Sequence, residues 1–254
     1  MLEMIYGRSG SGKSDELFRR ASASAAVRHV FILVPDRDAV SAERRVSKLE
    51  NAGNIDVVTF RRLANYIFRS LGGICENYIS AGEKKVVMQS VIEDMQVRLA
   101  EFSGVSPTDT YAVETFIDAR REMMINMISP EQLSDAALRI PGKTGRKTAD
   151  LSAIFSEFDS RVARRWRDPD GMLVAAAEKD GVERFFSESD IFIDAFTSYT
   201  APQYLLIEKM ISGSPRVAIT LAYEPDEDKD EPAFATLFGT DEKLSELAKK
   251  NGVK

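Results

Sequence analysis

Residues 2–14 read LEMIYGRSGSGKS, a short apolar run followed by a glycine-rich segment that ends in lysine and serine. The segment from Gly7 to Ser14 fits the P-loop, or Walker A, pattern, in which glycines let successive backbone N–H groups turn inward around phosphate oxygens. A predicted strand precedes the segment and a predicted helix follows it, so the positive end of that helix would face the phosphates. The stretch therefore predicts a phosphate-binding loop at the start of an α/β domain.

We expect this loop to hold ATP, or a related nucleotide, together with Mg²⁺. Lys13 would reach the β- and γ-phosphates, and Ser14 would coordinate the magnesium ion through its hydroxyl group. The backbone N–H groups of the remaining positions would surround the phosphate oxygens. The predicted nucleotide-binding residues are Gly7, Arg8, Ser9, Gly10, Ser11, Gly12, Lys13 and Ser14.

Short apolar runs alternate with amphipathic segments at both ends of the chain. This alternation is typical of a parallel sheet built from crossover units. The predicted strands are residues 2–6, 30–34, 55–58, 190–194 and 216–222. The predicted helices between and after them are residues 13–24, 38–49, 60–71, 202–211 and 241–250. The chain ends are therefore predicted to form one α/β fold of the P-loop NTPase type.

In the middle of the chain, strand signals stop and helical periodicity takes over. Three apolar stripes at helical spacing are expected to be packed faces. Their members are Met88, Ile92, Met95 and Leu99; Val113, Phe116, Ile117, Met124 and Met127; and Leu151, Ile154, Phe155, Phe158, Val162 and Trp166. The sequence thus predicts a first part of the P-loop domain (1–80), a helical insertion subdomain (81–187) and a second part of the P-loop domain (188–254).

Local signals mark several boundaries inside this scheme. Ser129, followed by Pro130 and Gln132, predicts a capped helix start. The basic segment PGKTGRK (141–147) is interpreted as a loop, and the highly charged segment EPDEDKDE (224–231) as a solvated loop.

The apolar run 191–193 ends at Asp194, the candidate Walker B residue and second metal-site residue, which would hold magnesium through water. Hydrolytic ATPases of the helicase kind place a glutamate directly after this aspartate to orient the attacking water, and here the position is Ala195. Without that carboxylate the chemical step should be slow even where binding is intact. We therefore assign no catalytic residue and expect nucleotide binding with little or no hydrolysis.

Composition excludes some classes of function. The net charge of −6 argues against a surface that grips nucleic acid by bulk charge. The single cysteine, Cys75, excludes an intramolecular disulfide and a cysteine-based metal cluster within this chain, and it fits a reducing compartment. No apolar run reaches eighteen residues, and the first residues do not have the pattern of a signal peptide. We expect a cytoplasmic protein.

Four segments resemble the N-terminal part of AddB, one of the two subunits of the bacterial AddAB ATP-dependent helicase/deoxyribonuclease. They follow one another in the same order and at the same spacing as in that family. They are GRSGSGKS, ILVPDRDAVSAERRV, TFRRLANYIFRSLGG and IDAFTSYTAPQ. The last is similar to the helicase motif DEFQDTSPLQ, since Asp194, Phe196 and Gln203 match it. Ala195 stands in place of the glutamate and Ser198 in place of the second aspartate.

The resemblance implies a superfamily 1 helicase-like domain with a helical insertion and a degenerate motor. It further implies a partner, an AddA-type motor subunit, and work on single-stranded or end DNA during double-strand end resection for recombinational repair. Thr59, Arg61 and Arg62 fall where such helicases contact single-stranded DNA. We do not expect these 254 residues to include the family's C-terminal nuclease domain with its iron–sulfur cluster, because one cysteine cannot ligate a four-cysteine cluster. The chain is therefore expected to be a fragment, or a protein that never had the nuclease.

Two other interpretations of the P-loop stay open at this level. An active P-loop kinase or small ATPase would use Asp194 or Asp36 as the base for a small substrate. The arginine-rich stretch 161–167 disfavours a kinase lid, because it lies on a predicted helix that carries core residues. A scaffold with a vestigial P-loop is the third interpretation.

Overall fold

Five parallel strands form one sheet in the computed structural model, which describes residues 1–73, 77–226, 228 and 231–253. The strands are β1 (Leu2–Tyr6), β2 (His29–Leu33), β3 (Ile55–Val58), β4 (Ser189–Ile193) and β5 (Val217–Leu221). Their order across the sheet is β1-β5-β4-β2-β3, and every neighbouring pair is parallel. The predicted α/β class and parallel sheet are confirmed. Cys75 lies outside the described residues.

Helices connect and flank these strands. They are α1 (Lys13–Ala25), α2 (Ala39–Val46), α3 (Phe60–Leu71), α4 (Ala81–Met95), α5 (Thr110–Ile125), α6 (Pro130–Arg139), α7 (Gly142–Ala163), α8 (Met172–Ala177), α9 (Val182–Phe186), α10 (Ala201–Gly213) and α11 (Ala235–Lys250). None of the helices in the described part of the chain is both long enough and apolar enough to cross a bilayer.

Several predicted boundaries agree with the structure and others do not. The strands at 2–6 and 55–58 and the helix at 60–71 are confirmed to the residue, as is the capped start at Ser129. The predicted helix 38–49 is wrong at both ends, because Asp36–Asp38 form a 3-10 turn before α2 and the helix stops at Val46. The last helix begins at Ala235, earlier than predicted.

The basic segment 141–147 is not a loop, because α7 begins at Gly142. The reason is local packing. Gly145 is buried, and a side chain there would collide with the carbonyl oxygen of Ile140 at the end of α6. A glycine at this position lets the first turns of α7 approach α6, which the charge of the segment does not reveal.

The chain divides into two compact units, Met1–Ile74 with Leu173–Lys254, and Cys75–Met172. The first contains the sheet and the second is helical. The boundary lies at residue 172, whereas the sequence pattern predicts it at 187. The segment between these two positions contains most of α8 and all of α9, and in α9 Val182 and Phe186 are buried while Glu183 pairs with Lys209 of α10 at 2.5 Å.

The apolar stripes of the helical unit form its core. Met88, Ile92, Ile154 and Phe155 are fully buried there. Met127 is the exception and the prediction for it was wrong, because it is 40% exposed with a left-handed backbone (φ 56°) beyond the end of α5. The helix has to end before α6 can start at Pro130, so Met127 turns the chain instead of continuing the stripe.

A buried carboxylate fixes the loop that follows α4. Asp150 of α7 accepts hydrogen bonds from the backbone N–H groups of Ala100, Glu101 and Phe102, at 3.0, 2.7 and 3.1 Å. A carboxylate that accepts from three backbone N–H groups takes the place of the water that would otherwise bind them. One side chain therefore attaches this loop to the central helix of the unit.

We expect Asp150→Ala to lower the free energy of unfolding by about 2–3 kcal/mol, because it removes the buried carboxylate that accepts hydrogen bonds from three backbone N–H groups. Asp135→Ala is the matched control, since Asp135 is exposed on α6 and should cost less than about 0.5 kcal/mol. Urea denaturation followed by circular dichroism measures both. Equal losses in the two variants would contradict this account.

Candidate functional site

The loop between β1 and α1, called here the glycine loop (residues 7–12), depends on its glycines for its shape. Gly10 and Gly12 have left-handed backbones, with φ of 81° and 87°, and Gly12 caps the start of α1. A side chain at Gly7 would collide with the hydroxyl of Ser11. Residues with a Cβ pay a steric penalty in these conformations. The conformation of this loop therefore depends on glycine at positions 7, 10 and 12.

The structure brings together Ser14 and Asp194, which lie 180 residues apart in the sequence. The Ser14 hydroxyl donates to Asp194 Oδ1 at 3.0 Å, and Thr220 Oγ1 donates to the same oxygen at 2.6 Å. Lys13 Nζ donates to the carbonyl oxygen of Arg8 at 3.3 Å, so the ammonium group lies against the glycine loop. Lys13 and Ser14 begin α1, which follows β1, whereas Thr220 lies near the carboxyl end of β5 and Asp194 directly follows β4, so these groups meet at the carboxyl ends of three adjacent strands.

Hydrogen bonds from two successive backbone N–H groups, those of Asp194 and Ala195, fix the position of Asp194. Its N–H group donates to the Leu33 carbonyl oxygen at 2.9 Å, and its side chain is buried. Ala195, the next residue, is exposed and has a left-handed backbone with φ 66°. Its N–H group points to Thr220 Oγ1 at 3.4 Å. The chain thus turns sharply away from the sheet directly after the carboxylate.

Sequence reasoning missed two residues of this region. Thr220 is an ordinary position inside a predicted strand, and only the pairing of β4 with β5 brings it to Asp194. Asp228 lies in the segment interpreted as a solvated loop, yet it is buried and paired with Arg8. No local pattern marks either residue, because both acquire their partners through long-range contacts.

Arg8 and Asp228 form an ion pair at the edge of the glycine loop. Arg8 Nε donates to the two carboxylate oxygens at 3.0 and 3.2 Å, and Nη2 also contacts Oδ1. The Glu224 N–H group donates to the same carboxylate at 2.8 Å. The Arg8 guanidinium holds the pKa of Asp228 below its ordinary value, so the carboxylate is charged at neutral pH.

The predicted DNA-contacting residues lie at the start of α3. Thr59 caps the helix, since its hydroxyl accepts from the Arg62 N–H group at 3.4 Å, and it is buried. Arg62 forms an ion pair with Glu43 at 2.6 Å, whereas the Arg61 side chain is exposed to solvent. Phe60 packs edge-on against Phe196, with ring centroids 5.4 Å apart, so this helix start lies beside the segment that follows Asp194.

The described residues contain no cluster of three or more histidine, cysteine, aspartate or glutamate side chains that would hold a metal unaided. Ser14 and Asp194 offer one hydroxyl and one carboxylate. Mg²⁺ is commonly bound by one or two protein ligands together with waters and substrate phosphates. The pair therefore suits a magnesium ion that arrives with a phosphate ligand.

Comparison with known proteins identifies the family. A model of the family described as "ADDB, N-terminal" matches residues 4–254. The chain belongs to the AddB N-terminal family. Similar proteins include the AddB subunit of the ATP-dependent helicase/deoxyribonuclease of Caldanaerobacter subterraneus subsp. tengcongensis, which is 29% identical over 99% of this chain and 22% of its own length. The AddB subunits of the same name from Acetivibrio thermocellus and Clostridioides difficile are also 29% identical, over 99% and 100% of this chain and 23% of theirs.

This AddB-family chain therefore spans less than a quarter of the length of these curated relatives. The predicted family resemblance is confirmed over nearly the whole chain.

We expect Thr220→Val to lower the free energy of unfolding by about 1–3 kcal/mol, because the change keeps the shape but removes a donor from a buried carboxylate. Thr197→Val is the control: Thr197 is exposed, and the same substitution there should cost less than about 0.5 kcal/mol. Thermal and urea unfolding of both variants provide the comparison. A neutral Thr220→Val would mean that the hydroxyl does not support Asp194.

Proposed function

We propose that this chain is the nucleotide-binding, helicase-like region of an AddB-type subunit that acts in the resection of DNA double-strand ends for recombinational repair. The observation that carries the proposal is the hydrogen bond between Ser14, in the first turn of α1 after the glycine loop, and Asp194, which directly follows β4. That is the arrangement expected of a Walker A serine and a Walker B aspartate around magnesium. Family membership supplies the biological setting.

The residues present fit ATP and Mg²⁺. The glycine loop has the left-handed glycines that turn backbone N–H groups inward, and a side chain at Gly7 would fill the loop. Lys13 would bind phosphate oxygens, while Ser14 and Asp194 would hold the magnesium ion, Asp194 through water. The bound ion would neutralise phosphate charge. The α1 N-terminus adds its positive dipole end and carries Asp15 and Glu16 in its first turn.

We further propose that hydrolysis is slow or absent. Ala195 cannot accept a proton from water, and it occupies the position where hydrolytic helicases carry glutamate. Its left-handed backbone also costs about 1 kcal/mol for any residue with a Cβ, so a longer side chain there would start from a strained conformation. Binding of nucleotide, rather than its turnover, is the role that these residues support.

We expect Lys13→Ala to weaken binding of a fluorescent ATP analogue with Mg²⁺ by at least about tenfold, because a charge-assisted hydrogen bond to phosphate is lost. Lys48→Ala, an exposed lysine on the surface after α2, should bind like the unchanged chain. Phosphate release measured in the same samples should be negligible. Turnover on the scale of one per second would exclude the degenerate motor, and absence of binding by the unchanged chain would favour a scaffold.

We propose an AddA-type motor subunit and single-stranded or end DNA as the partners, in the cytoplasm. The candidate DNA-binding residues are Thr59, Arg61 and Arg62 at the start of α3. Helix N-termini and arginines are common phosphate contacts. Thr59 is occupied as a cap and Arg62 is paired with Glu43, so Arg61 is the residue best placed to meet a phosphate. The negative net charge predicts weak binding by the chain alone.

We expect Arg61→Ala to reduce the salt dependence of single-stranded DNA binding by about 0.7 in the slope of log K against log salt, the value for one lost phosphate contact. Arg62→Ala should change it less, because its guanidinium already has a partner. Arg28→Ala is the control, since Arg28 lies just before β2 at the opposite edge of the sheet. Fluorescence anisotropy in low salt measures all three. Equal effects at Arg28 and Arg61 would indicate general charge attraction only.

A further inference from the structure

The Arg8–Asp228 ion pair is a part of the site that nucleotide binding by the glycine loop does not explain. Arg8 is the second residue of the loop motif, and with Lys13 it is one of the motif's two cationic side chains. Its side chain is 50% exposed, whereas the Asp228 side chain is completely buried. The carboxylate is therefore fixed, and the guanidinium lies between it and solvent.

Further contacts attach the segment that follows β5 to the glycine loop. The Gly7 N–H group donates to the Tyr223 carbonyl oxygen at 3.0 Å, and the Glu224 N–H group donates to Asp228. A side chain at Gly7 would also lie within 3.7 Å of Glu224 Oε1, which shows how closely that carboxylate approaches the loop. The segment thus brings negative charge to a loop whose glycines suit an anion.

A phosphate group and the Asp228 carboxylate would bind the Arg8 guanidinium in the same way. Both are anions with oxygens spaced for the planar fork of a guanidinium, and both form charge-assisted hydrogen bonds with it. While Arg8 is held by Asp228, the charge of one of the two cationic side chains of the Gly7–Ser14 motif is neutralised. A phosphate ligand then meets Lys13 alone among the side-chain cations of the motif.

We propose that Asp228 is an internal competitor of phosphate for Arg8, and that it sets the affinity of the glycine loop for its nucleotide. The proposal rests on the proposed function, because it concerns the same loop. Removal of the carboxylate charge weakens the attraction that holds Arg8 at this segment, so a phosphate ligand competes better for the guanidinium and binding tightens. Low affinity is then a property built into this chain by a residue far from the motif in sequence.

The test compares binding of a fluorescent ATP analogue with Mg²⁺ to the unchanged chain and to Asp228→Asn. Asparagine can still accept from the Glu224 N–H group, so it removes the charge with the least change in packing. We expect about tenfold tighter binding, as for one additional charge-assisted contact. Asp226→Asn is the matched control, since Asp226 is exposed in the same segment, and it should change the affinity less than about twofold.

The double variant Arg8→Ala/Asp228→Asn separates competition for Arg8 from simple charge repulsion. Competition predicts that the gain of Asp228→Asn disappears when Arg8 is also removed. A gain that persists in the double variant, or an equal gain in Asp226→Asn, would overturn the proposal. Circular dichroism of each variant checks that it is folded.

A measurement on the unchanged chain keeps the test independent of variant stability. The Nε–H resonance of Arg8, assigned by its loss in Arg8→Lys, should shift when the Mg²⁺-bound analogue is added, because the guanidinium exchanges carboxylate for phosphate. Saturable binding without any shift of that resonance refutes the competitor and leaves the proposed function intact. If neither the unchanged chain nor Asp228→Asn binds nucleotide, the proposed function itself fails.

Discussion

The hydrogen bond from Ser14 to Asp194 is the contact on which the candidate site depends. It joins the first helix to the end of β4, across the intervening strand β5, and Thr220 of that strand donates to the same oxygen. A buried carboxylate needs such donors, because desolvation without them is costly. The two hydroxyls therefore stabilise the charge that a magnesium ion would later share, and they fix the spacing between the glycine loop and β4.

The all-parallel sheet explains why these groups meet. Parallel strands present their carboxyl ends at one edge, and ligands of open α/β sheets bind at that edge. The glycine loop, Asp194 and Thr59 all follow carboxyl ends of strands, and the contact between Phe60 and Phe196 links the start of α3 to the segment after Asp194. A nucleotide site and a strand-binding site would consequently share one edge of this sheet.

Electrostatics at this edge are more balanced than a phosphate-binding motif alone suggests. The glycine loop offers backbone N–H groups and Arg8, and α1 adds Lys13, but Arg8 is paired with the buried carboxylate of Asp228 in the segment after β5. The Arg8–Asp228 ion pair and Ala195, in place of a glutamate, are the two features on which the proposals of weak binding and slow hydrolysis rest.

The sequence by itself determined the parallel α/β pattern, the glycine loop, the packed stripes of the helical unit and the candidate role of Asp194, because each rests on local spacing or periodicity. Only the tertiary structure decided that Met127 leaves its stripe, that residues 141–147 enter a helix, and that Thr220 and Asp228 belong to the site. The physical reason is the same in each case. Strand pairing, helix approach and buried ion pairs join residues far apart in the chain, and no local pattern encodes them.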